Sequence, residues 1–391
     1  MVDSRILNQA ARVLKLVQTG TPADQALRES LTQDRHFTAP AARRGVSRAV
    51  FAYFRWWRWL DEKASAQKQL AAAIELQGRF DKNPASFKPE ALAAKAVPDW
   101  LKDEMDVIPA GWLQQLQREP ALWIRAKVGT VATLAKKLGN CTAAALSELP
   151  ALSSQLSALN YAGLTDLYRT QEFQAGEFEI QDLASQLVGL AAAPQPGETW
   201  WDACAGEGGK TMHLSDLMQN KGLIWASDRS LRRLAKLKER AARAKVFNFR
   251  AAPWEGDAKL PTKTKFDGIL VDAPCTGVGT WQRNPHARWT TTPKDVHELA
   301  AVQAQLLNNV AGSLKPGGRL IYAVCTLTRA ETTAIAEAFT AAHPELEPIP
   351  VVVAGLAEPG SGPGSPTPAT LTLWPQDLNA NGMFIAAWKK K

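Results

Sequence analysis

Apolar residues recur at helical spacing through the first eighty or so positions. Ile6-Leu7, Ala11, Leu14 and Val17 share one face, and Thr21-Pro22 supplies a cap and a first-turn proline for a second helix. Another helix is predicted from Pro40 onward, inside a segment, Arg35 to Leu60, that holds six arginines and no acid. At roughly 100° per residue, Arg44, Arg48, Arg55 and Arg58 fall on one stripe of that helix, with Val46, Val50, Tyr53 and Trp57 opposite. Such a helix would bury its aromatic face and offer its arginines to phosphate. A solvated arginine face on a packed helix is the alternative.

Residues 80–100 hold Asn83-Pro84, Lys88-Pro89 and Val97-Pro98 among alanines, and read as a linker or loose helical connection. Short helical and strand-like pieces follow: Leu122 to Val128 reads as a strand, Thr130 to Leu138 as a helix. Ala191 to Gly197 breaks the chain, and from Glu198 strands and helices alternate. Glu198–Asp202, Gly222–Asp228, Phe266–Asp272 and Arg319–Val324 read as strands. Thr211–Gln219, a basic stretch from about 230 to 244 and Val296–Leu314 read as helices. Near-continuous apolar strands between helices predict a parallel, doubly wound sheet, closed by Leu371–Trp374 and Gly382–Trp388. Pro359–Pro368 is Gly/Pro/Ser-rich loop sequence. The division expected is a helical domain over 1–80, a linker over 81–118, a small α+β subdomain over 119–195 and an α/β domain over 196–391.

Composition narrows the function classes. At roughly 150 residues per domain, 391 residues allow two or three domains. A content of 46% hydrophobic and 21% charged residues excludes wholesale disorder. No apolar run approaches the ~18 residues of a membrane span, and Met1-Val-Asp-Ser-Arg lacks the apolar core of a signal peptide. A cytoplasmic protein with no membrane partner is expected. The cysteines at 141, 204, 275 and 325 are too scattered for a disulfide framework or a zinc site, so no metal is expected either. The net charge of +8 is uneven. Residues 1–150 hold 22 Lys and Arg against 15 Asp and Glu, and the remainder holds 24 against 23. A basic front half suggests a polyanion-binding module joined to something else, although moderately basic proteins are also common.

Candidate chemistry clusters at predicted strand ends. Asp202-Ala-Cys-Ala-Gly-Glu-Gly-Gly-Lys-Thr211 leaves the first strand of the α/β region and opens a helix, where glycines let the backbone approach a ligand. A P-loop needs glycine where Cys204 stands, and a nicotinamide fingerprint needs glycine where Thr211 stands. Asp228 ends the next strand, where an acid can bond ribose hydroxyls. Cys275, in Asp272-Ala-Pro-Cys-Thr-Gly277, and Cys325 sit at the ends of two further strands. With a carboxylate beside one of them, they read as a nucleophile and an accessory thiol; small buried hydrophobes are the alternative.

Asp202 to Thr211, Asp272 to Gly277 and Tyr322-Ala-Val-Cys325-Thr resemble, in order, three motifs of the RsmB/Nop/Sun family of RNA (cytosine-5) methyltransferases. Phe178–Leu187, Gly279–Trp289 and Asn381–Ala386 are similar to its segment before the first catalytic strand, its substrate loop and its last strand. The resemblance covers roughly 120–390. Residues 1–80, chiefly Arg43 to Asp61, look more weakly like the NusB-like RNA-binding domain that precedes the catalytic domain in RsmB. Departures are present. Gly206 and Glu207 stand where the family usually has Ala-Pro, Val324 replaces Thr before the second cysteine, and His286 replaces Asp in the substrate loop. The acid carried near the third strand has no clear counterpart in Arg250–Glu255.

The resemblance implies a Rossmann-like S-adenosylmethionine-dependent methyltransferase sheet behind an all-helical domain and a small α+β subdomain. It implies 5-methylcytosine formation in RNA, with ribosomal RNA the expected substrate and tRNA the alternative. A monomer is expected. It assigns addition to the base to Cys325, product release to Cys275, a contact to the cytosine edge to Asp272 and an orienting role to Lys210. It places the cofactor on Cys204, Ala205, Gly206, Glu207, Gly208, Gly209, Lys210, Asp228, Arg233 and Asp272. RNA contacts are expected at Arg44, Arg48, Arg55, Arg58, Arg283 and Arg288, with base stacking at Trp281 and Trp289. Two other classes compete with this reading. A non-catalytic RNA-binding assembly factor is disfavoured because both motif cysteines and Asp272 are present. An amino-group methyltransferase is disfavoured because Ala-Pro-Cys275 lacks that class's Pro-Pro-aromatic motif.

Overall fold

A computed structural model describes residues 3–33, 37, 39–144, 156–351, 353 and 369–391. Arg35 and the Pro359–Pro368 loop lie outside the described residues. The chain divides into two compact units. One takes residues 1–120, 164–166 and 280–293; the other takes 121–163, 167–279 and 294–391.

The first unit is helical: α1 (Ser4–Gln18), α2 (Ala23–Gln33), α3 (Pro40–Trp56), α4 (Ala66–Lys82), α5 (Pro89–Lys95), α6 (Leu101–Glu104) and α7 (Ala110–Gln115). Asp3 caps α1 through its side chain, Pro40 opens α3, and Ser65 caps α4. The apolar faces meet in one core containing Val13, Leu14, Ala26, Val46, Val50, Phe54 and Leu70. The expected linker is instead folded. Its prolines begin or precede short helices, and Leu92, Val97, Leu101, Trp112 and Leu116 are buried. The arginine stripe is also shorter than periodicity predicted. α3 ends at Trp56, so Arg58 and the exposed Trp57 fall in a following 3-10 turn, Trp57–Trp59.

The second unit begins with a small antiparallel sheet in the order β2-β3-β1-β4, made of β1 (Trp123–Ala126), β2 (Cys141–Ala143), β3 (Ala158–Tyr161) and β4 (Phe178–Ile180). Helices α8 (Val131–Leu138), α9 (Gln171–Gln174) and α10 (Leu183–Ala192) accompany it. The large sheet follows, with β5 (Thr199–Asp202), β6 (Leu223–Asp228), β7 (Phe249–Pro253), β8 (Phe266–Asp272), β9 (Leu314–Val324), β10 (Leu346–Pro348), β11 (Thr370–Leu373) and β12 (Met383–Lys390). Between them in sequence run α11 (Gly209–Leu217), α12 (Leu231–Arg243), α14 (Pro293–Ala311), α15 (Thr333–Ala342) and α16 (Pro375–Leu378), while the short helix α13 (Ala287–Thr290) belongs to the helical unit. The strand order is β10-β12-β9-β8-β5-β6-β7, with β11 on β12. Strands β5 to β9 pair in parallel, and β12 runs antiparallel to β9.

Both faces of this sheet are covered, which is why its strands read as apolar runs. Trp200, Leu270, Ile321 and Ile385 pack on one side with Leu187 and Leu214. Their neighbours Trp201, Ile269, Val271, Tyr322 and Phe384 pack on the other with Leu307 and Val310. The chain reverses direction across the sheet between β5 and β8, and the expected doubly wound architecture is borne out. The basic helix α12 is tied down rather than free: Arg240 and Arg243 both bond the buried carboxylate of Glu179 in β4. Arg125 and Lys127 from the small sheet likewise meet Asp216 in α11. No helix among the described residues is long and apolar enough to cross a membrane.

Candidate active site

The predicted chemistry converges at the C-terminal edge of the parallel strands, around the crevice between β5 and β8. Asp202 closes β5, Asp228 closes β6, Asp272 closes β8, and Cys325 follows β9 directly.

The loop after β5 turns sharply into α11. Gly208 has φ +86°, and a Cβ there would lie 2.6 Å from Leu237 Cγ, so only glycine fits. Gly206, at φ +55°, and Gly209 would both direct a Cβ into open space. Asp228 pins this loop, its carboxylate accepting the Gly206 N–H at 3.0 Å and the Ser230 N–H at 2.7 Å. Ala205 N–H donates to the Ser227 carbonyl at 2.8 Å. Asp202 is fully buried. Its Oδ2 accepts from the Thr211 hydroxyl at 2.6 Å, while Oδ1 is buried without a hydrogen-bond partner among the described residues. Burial, against the pull of Thr211, raises the Asp202 carboxyl to about 7. Burial also pushes the Cys204 thiol well up, and the surrounding carboxylates add to it, so Cys204 is a neutral thiol. Glu207 is exposed; Arg240 donates to its carbonyl at 3.0 Å and faces its carboxylate at 4.0 Å. Arg233 stands exposed in the first turn of α12, its backbone N–H held by Ser230.

Lys210 lies in the first turn of α11 and donates to Asp272 Oδ2 at 2.6 Å. Burial alone would lower its pKa. The charge and hydrogen bond of Asp272, with Cys325 and Asp202, outweigh that and raise it, so Lys210 is a cation.

Cys275 Sγ and Cys325 Sγ lie 3.4 Å apart. The bond to Cys325, then burial, then the charges of Cys325 and Glu331 push the Cys275 thiol well up. Cys275 is therefore a neutral thiol. The two thiol-bearing loops share an anchor that the sequence reading missed. Glu331 is completely buried, and its carboxylate accepts from Thr276 N–H at 2.9 Å, from the Thr326 and Thr328 hydroxyls at 2.9 Å each, and from Gln303 at 3.0 Å. The Thr276 hydroxyl is a further donor at 2.5 Å. Thr276 follows one cysteine and Thr326 the other. A second tie is backbone: Gly279 N–H donates to the Cys325 carbonyl at 3.1 Å, and Gly382 N–H to the Gly279 carbonyl at 2.8 Å. The alternation Thr326-Leu-Thr328 ahead of Glu331 was the available signal, because it places two hydroxyls on one side.

The residues expected to contact RNA sit in the helical unit, and the expected placement of four of them, as open surface groups, is corrected. Arg288 is completely buried and donates to the carbonyls of Ala96 at 2.9 Å and Leu116 at 3.0 Å; it holds this unit together rather than facing solvent. Arg55 is 2% exposed, bonded to Gln77, and so does not present itself on an open stripe. Arg58 reaches the carbonyls of Ala94 and Val97 and the carboxylate of Asp99. Trp281 is fully buried between Trp100 and Trp112, which removes it as a stacking platform. Trp289 is half-buried, its indole N–H held by the Phe54 carbonyl and its edge against Trp57. His286 packs edge-on to Phe54, and burial lowers its pKa. Arg44, Arg48 and Arg283 are exposed.

Known proteins give the family of the chain. Residues 189–389 match the family model described as 16S rRNA methyltransferase RsmB/F. The probable ribosomal RNA small subunit methyltransferase B of Synechocystis is 33% identical over 312 residues, 75% of this chain and 66% of that protein. The Bacillus subtilis protein of the same description is 36% identical over 233 residues, 57% of this chain and 50% of that protein. The chain thus spans between half and two thirds of the length of these relatives. Among solved structures, PH0851 superposes with a TM-score of 0.79 over all of this chain and 99% of that one at 22% identity, a likeness of fold. NSun6 from Pyrococcus horikoshii, solved with SFG, superposes with a TM-score of 0.51 at 28% identity over 60% of this chain and 58% of that one. With its methyltransferase sheet and its motif residues gathered at one strand edge, the chain belongs to the 16S rRNA methyltransferase RsmB/F family.

Proposed function

We propose that this chain transfers a methyl group from S-adenosylmethionine to carbon 5 of a cytosine in ribosomal RNA, through a transient bond between Cys325 and the base. The observation that carries this reading is the Cys275–Cys325 thiol pair at the strand edge that also holds the Lys210–Asp272 pair.

The cofactor fits the residues present. Gly206 and Gly209 leave room where any side chain would intrude, and the unpartnered, buried Asp202 Oδ1 suits a ligand that brings a donor or a positive charge. Residues 204–210 and Asp228 would hold it. When bound, S-adenosylmethionine supplies an electrophilic methyl group.

Carbon 5 of cytosine is a poor nucleophile on its own. Addition of the Cys325 thiolate to carbon 6 makes carbon 5 enamine-like and able to take the methyl. The positive charge of Lys210 and a thiolate on Cys325 attract each other, which favours the nucleophilic form. Asp272 accepts a hydrogen bond from the cytosine edge and stabilises a protonated ring nitrogen, while Lys210 fixes its carboxylate. With S-adenosylhomocysteine as the by-product of the transfer, loss of the carbon-5 proton to solvent water and return of the C6–S electron pair to the departing Cys325 sulfur restore the ring. Cys275 assists that departure, its S–H lying next to the leaving sulfur. The base must be unpaired or flipped to reach this crevice, which favours single-stranded segments of rRNA.

Bisulfite mapping of RNA from a deletion strain tests the reading. One small-subunit rRNA cytosine is expected to lose its protection. Loss at a tRNA cytosine moves the substrate, and no loss anywhere overturns the reaction.

A further inference from the structure

Within the helical unit, a cleft of about 560 Å³ opens between α3 and the segment 280–284. Its wall on α3 is built from Arg44, Arg48, Phe51 and Arg55, spaced so that all four fall on one helical stripe. Arg283 faces them from the other wall. Four guanidinium groups thus share the cleft with two carboxylates, Asp24 and Glu119. Glu119 is paired with Arg48 at 2.5 Å. Arg55 is the deepest of the four, 2% exposed; one nitrogen bonds Gln77 at 2.7 Å, and its Nε is buried with no hydrogen-bond partner among the described residues. Burial lowers its pKa to about 10, so it remains a cation at neutral pH.

A buried guanidinium with an unanswered N–H, in a cleft with a surplus of positive charge, wants an anion with acceptor oxygens. The volume lies within the range of about 300–1,000 Å³ found for ligand sites. Phe51, half-buried in the same wall, offers an apolar ring beside the charges. We infer that this cleft seats one unpaired nucleotide of the RNA substrate, its phosphate on Arg44, Arg55 and Arg283 and its base against Phe51. The inference rests on the RNA-methyltransferase reading and extends it. The helical unit grips a nucleotide in a defined pocket instead of presenting a diffuse basic face. The misread stripe of α3 is the physical reason: folding turns Arg55 inward, to the floor of a cleft, where the sequence alone placed it on open surface.

Fluorescence anisotropy with a labelled single-stranded RNA 12-mer, on the full chain across a KCl series, tests this. The comparison is between Arg44→Gln/Arg283→Gln and a charge-matched control, Lys88→Gln/Lys102→Gln, which changes two exposed lysines outside the cleft. The cleft variant is expected to bind about 10-fold more weakly, with the slope of log K against log[salt] reduced by roughly 1.4, the value for two lost single-strand phosphate contacts. The control is expected to change less than about twofold. Phe51→Leu, which keeps an apolar side chain of similar size, is expected to weaken binding about fivefold with the salt slope unchanged, as for a lost stacking partner. Equal weakening by the two double variants means a diffuse field and overturns the cleft; so does no weakening by either. An unchanged Kd for Phe51→Leu overturns the seat for the base. These readouts do not need turnover. A wild-type chain that binds through the cleft yet methylates no RNA would instead remove the reaction proposed above.

Discussion

Cys275 Sγ lies 3.4 Å from Cys325 Sγ, although 50 positions of sequence separate the two residues. Parallel pairing of β8 with β9 brings their strand ends to neighbouring places on one edge. The loops beyond those ends are then fixed by a shared carboxylate, that of Glu331. The thiol pair is thus a product of sheet topology first and of a buried hydrogen-bond hub second.

Glu331→Gln removes that hub's charge while keeping its shape. Thr276, Thr326 and Thr328 then face an amide that is both donor and acceptor, and the two thiol-bearing loops lose their common register. A displacement of about 1 Å at reacting atoms costs on the order of 100-fold in rate. Single-turnover methyl transfer is expected to fall by about that factor, with the Kd for S-adenosylmethionine within about twofold of wild type. Equal loss of cofactor binding would show that Glu331 supports the whole domain and not the thiol pair.

Asp202 predicts a pH dependence of stability. Its carboxyl titrates near 7 in the folded chain against about 3.9 in an unfolded one. Between those pH values the folded state holds a proton that the unfolded state has released, so stability falls as pH rises from about 4 to about 7 and levels off above. Asp202→Asn has no such titration. Urea unfolding without cofactor is expected to show the variant gaining on wild type by a few kcal/mol, roughly, between pH 5 and pH 8. A constant difference across that range contradicts the assignment.

Gly279 joins the Cys275 loop to both Cys325 and Gly382. A Cβ at 279 would lie 2.4 Å from the Gly382 carbonyl oxygen, a backbone atom that cannot swing aside. Gly279→Ala is expected to cost about 1–3 kcal/mol in denaturant unfolding, as overpacking does. It also shifts the backbone that holds Cys325. A variant as stable and active as wild type would mean that the loop adapts freely.

Much of this was legible in the sequence, and the limits have physical causes. The parallel strands announced themselves because both faces of the sheet are buried, which turns alternation into apolar runs. Asp202, Lys210, Asp272, Cys275 and Cys325 stood out as candidates because each sits in a short local motif at a strand end. Glu331 was not, because its partners Thr276 and Gln303 lie far off in sequence and an acid before a helix looks like a surface residue. The arginine face of α3 was misjudged for a related reason. Periodicity gives direction around one helix, but not where that helix ends or what covers it. Arg288 and Trp281 looked like substrate-loop contacts through the family resemblance of Gly279–Trp289, yet the helical unit uses both to bury and satisfy its own interior.

The central claim is that Cys325 bonds to the base and Cys275 frees it. The most direct measurement is a denaturing gel of Cys275→Ala incubated with S-adenosylmethionine and small-subunit rRNA, run beside Cys275→Ala/Cys325→Ala. A slow-migrating RNA–protein species is expected in the single variant and absent from the double, with Cys325→Ala alone showing no methyl transfer and near-normal cofactor binding. An adduct that survives loss of Cys325, or methyl transfer undiminished in Cys325→Ala, contradicts the account.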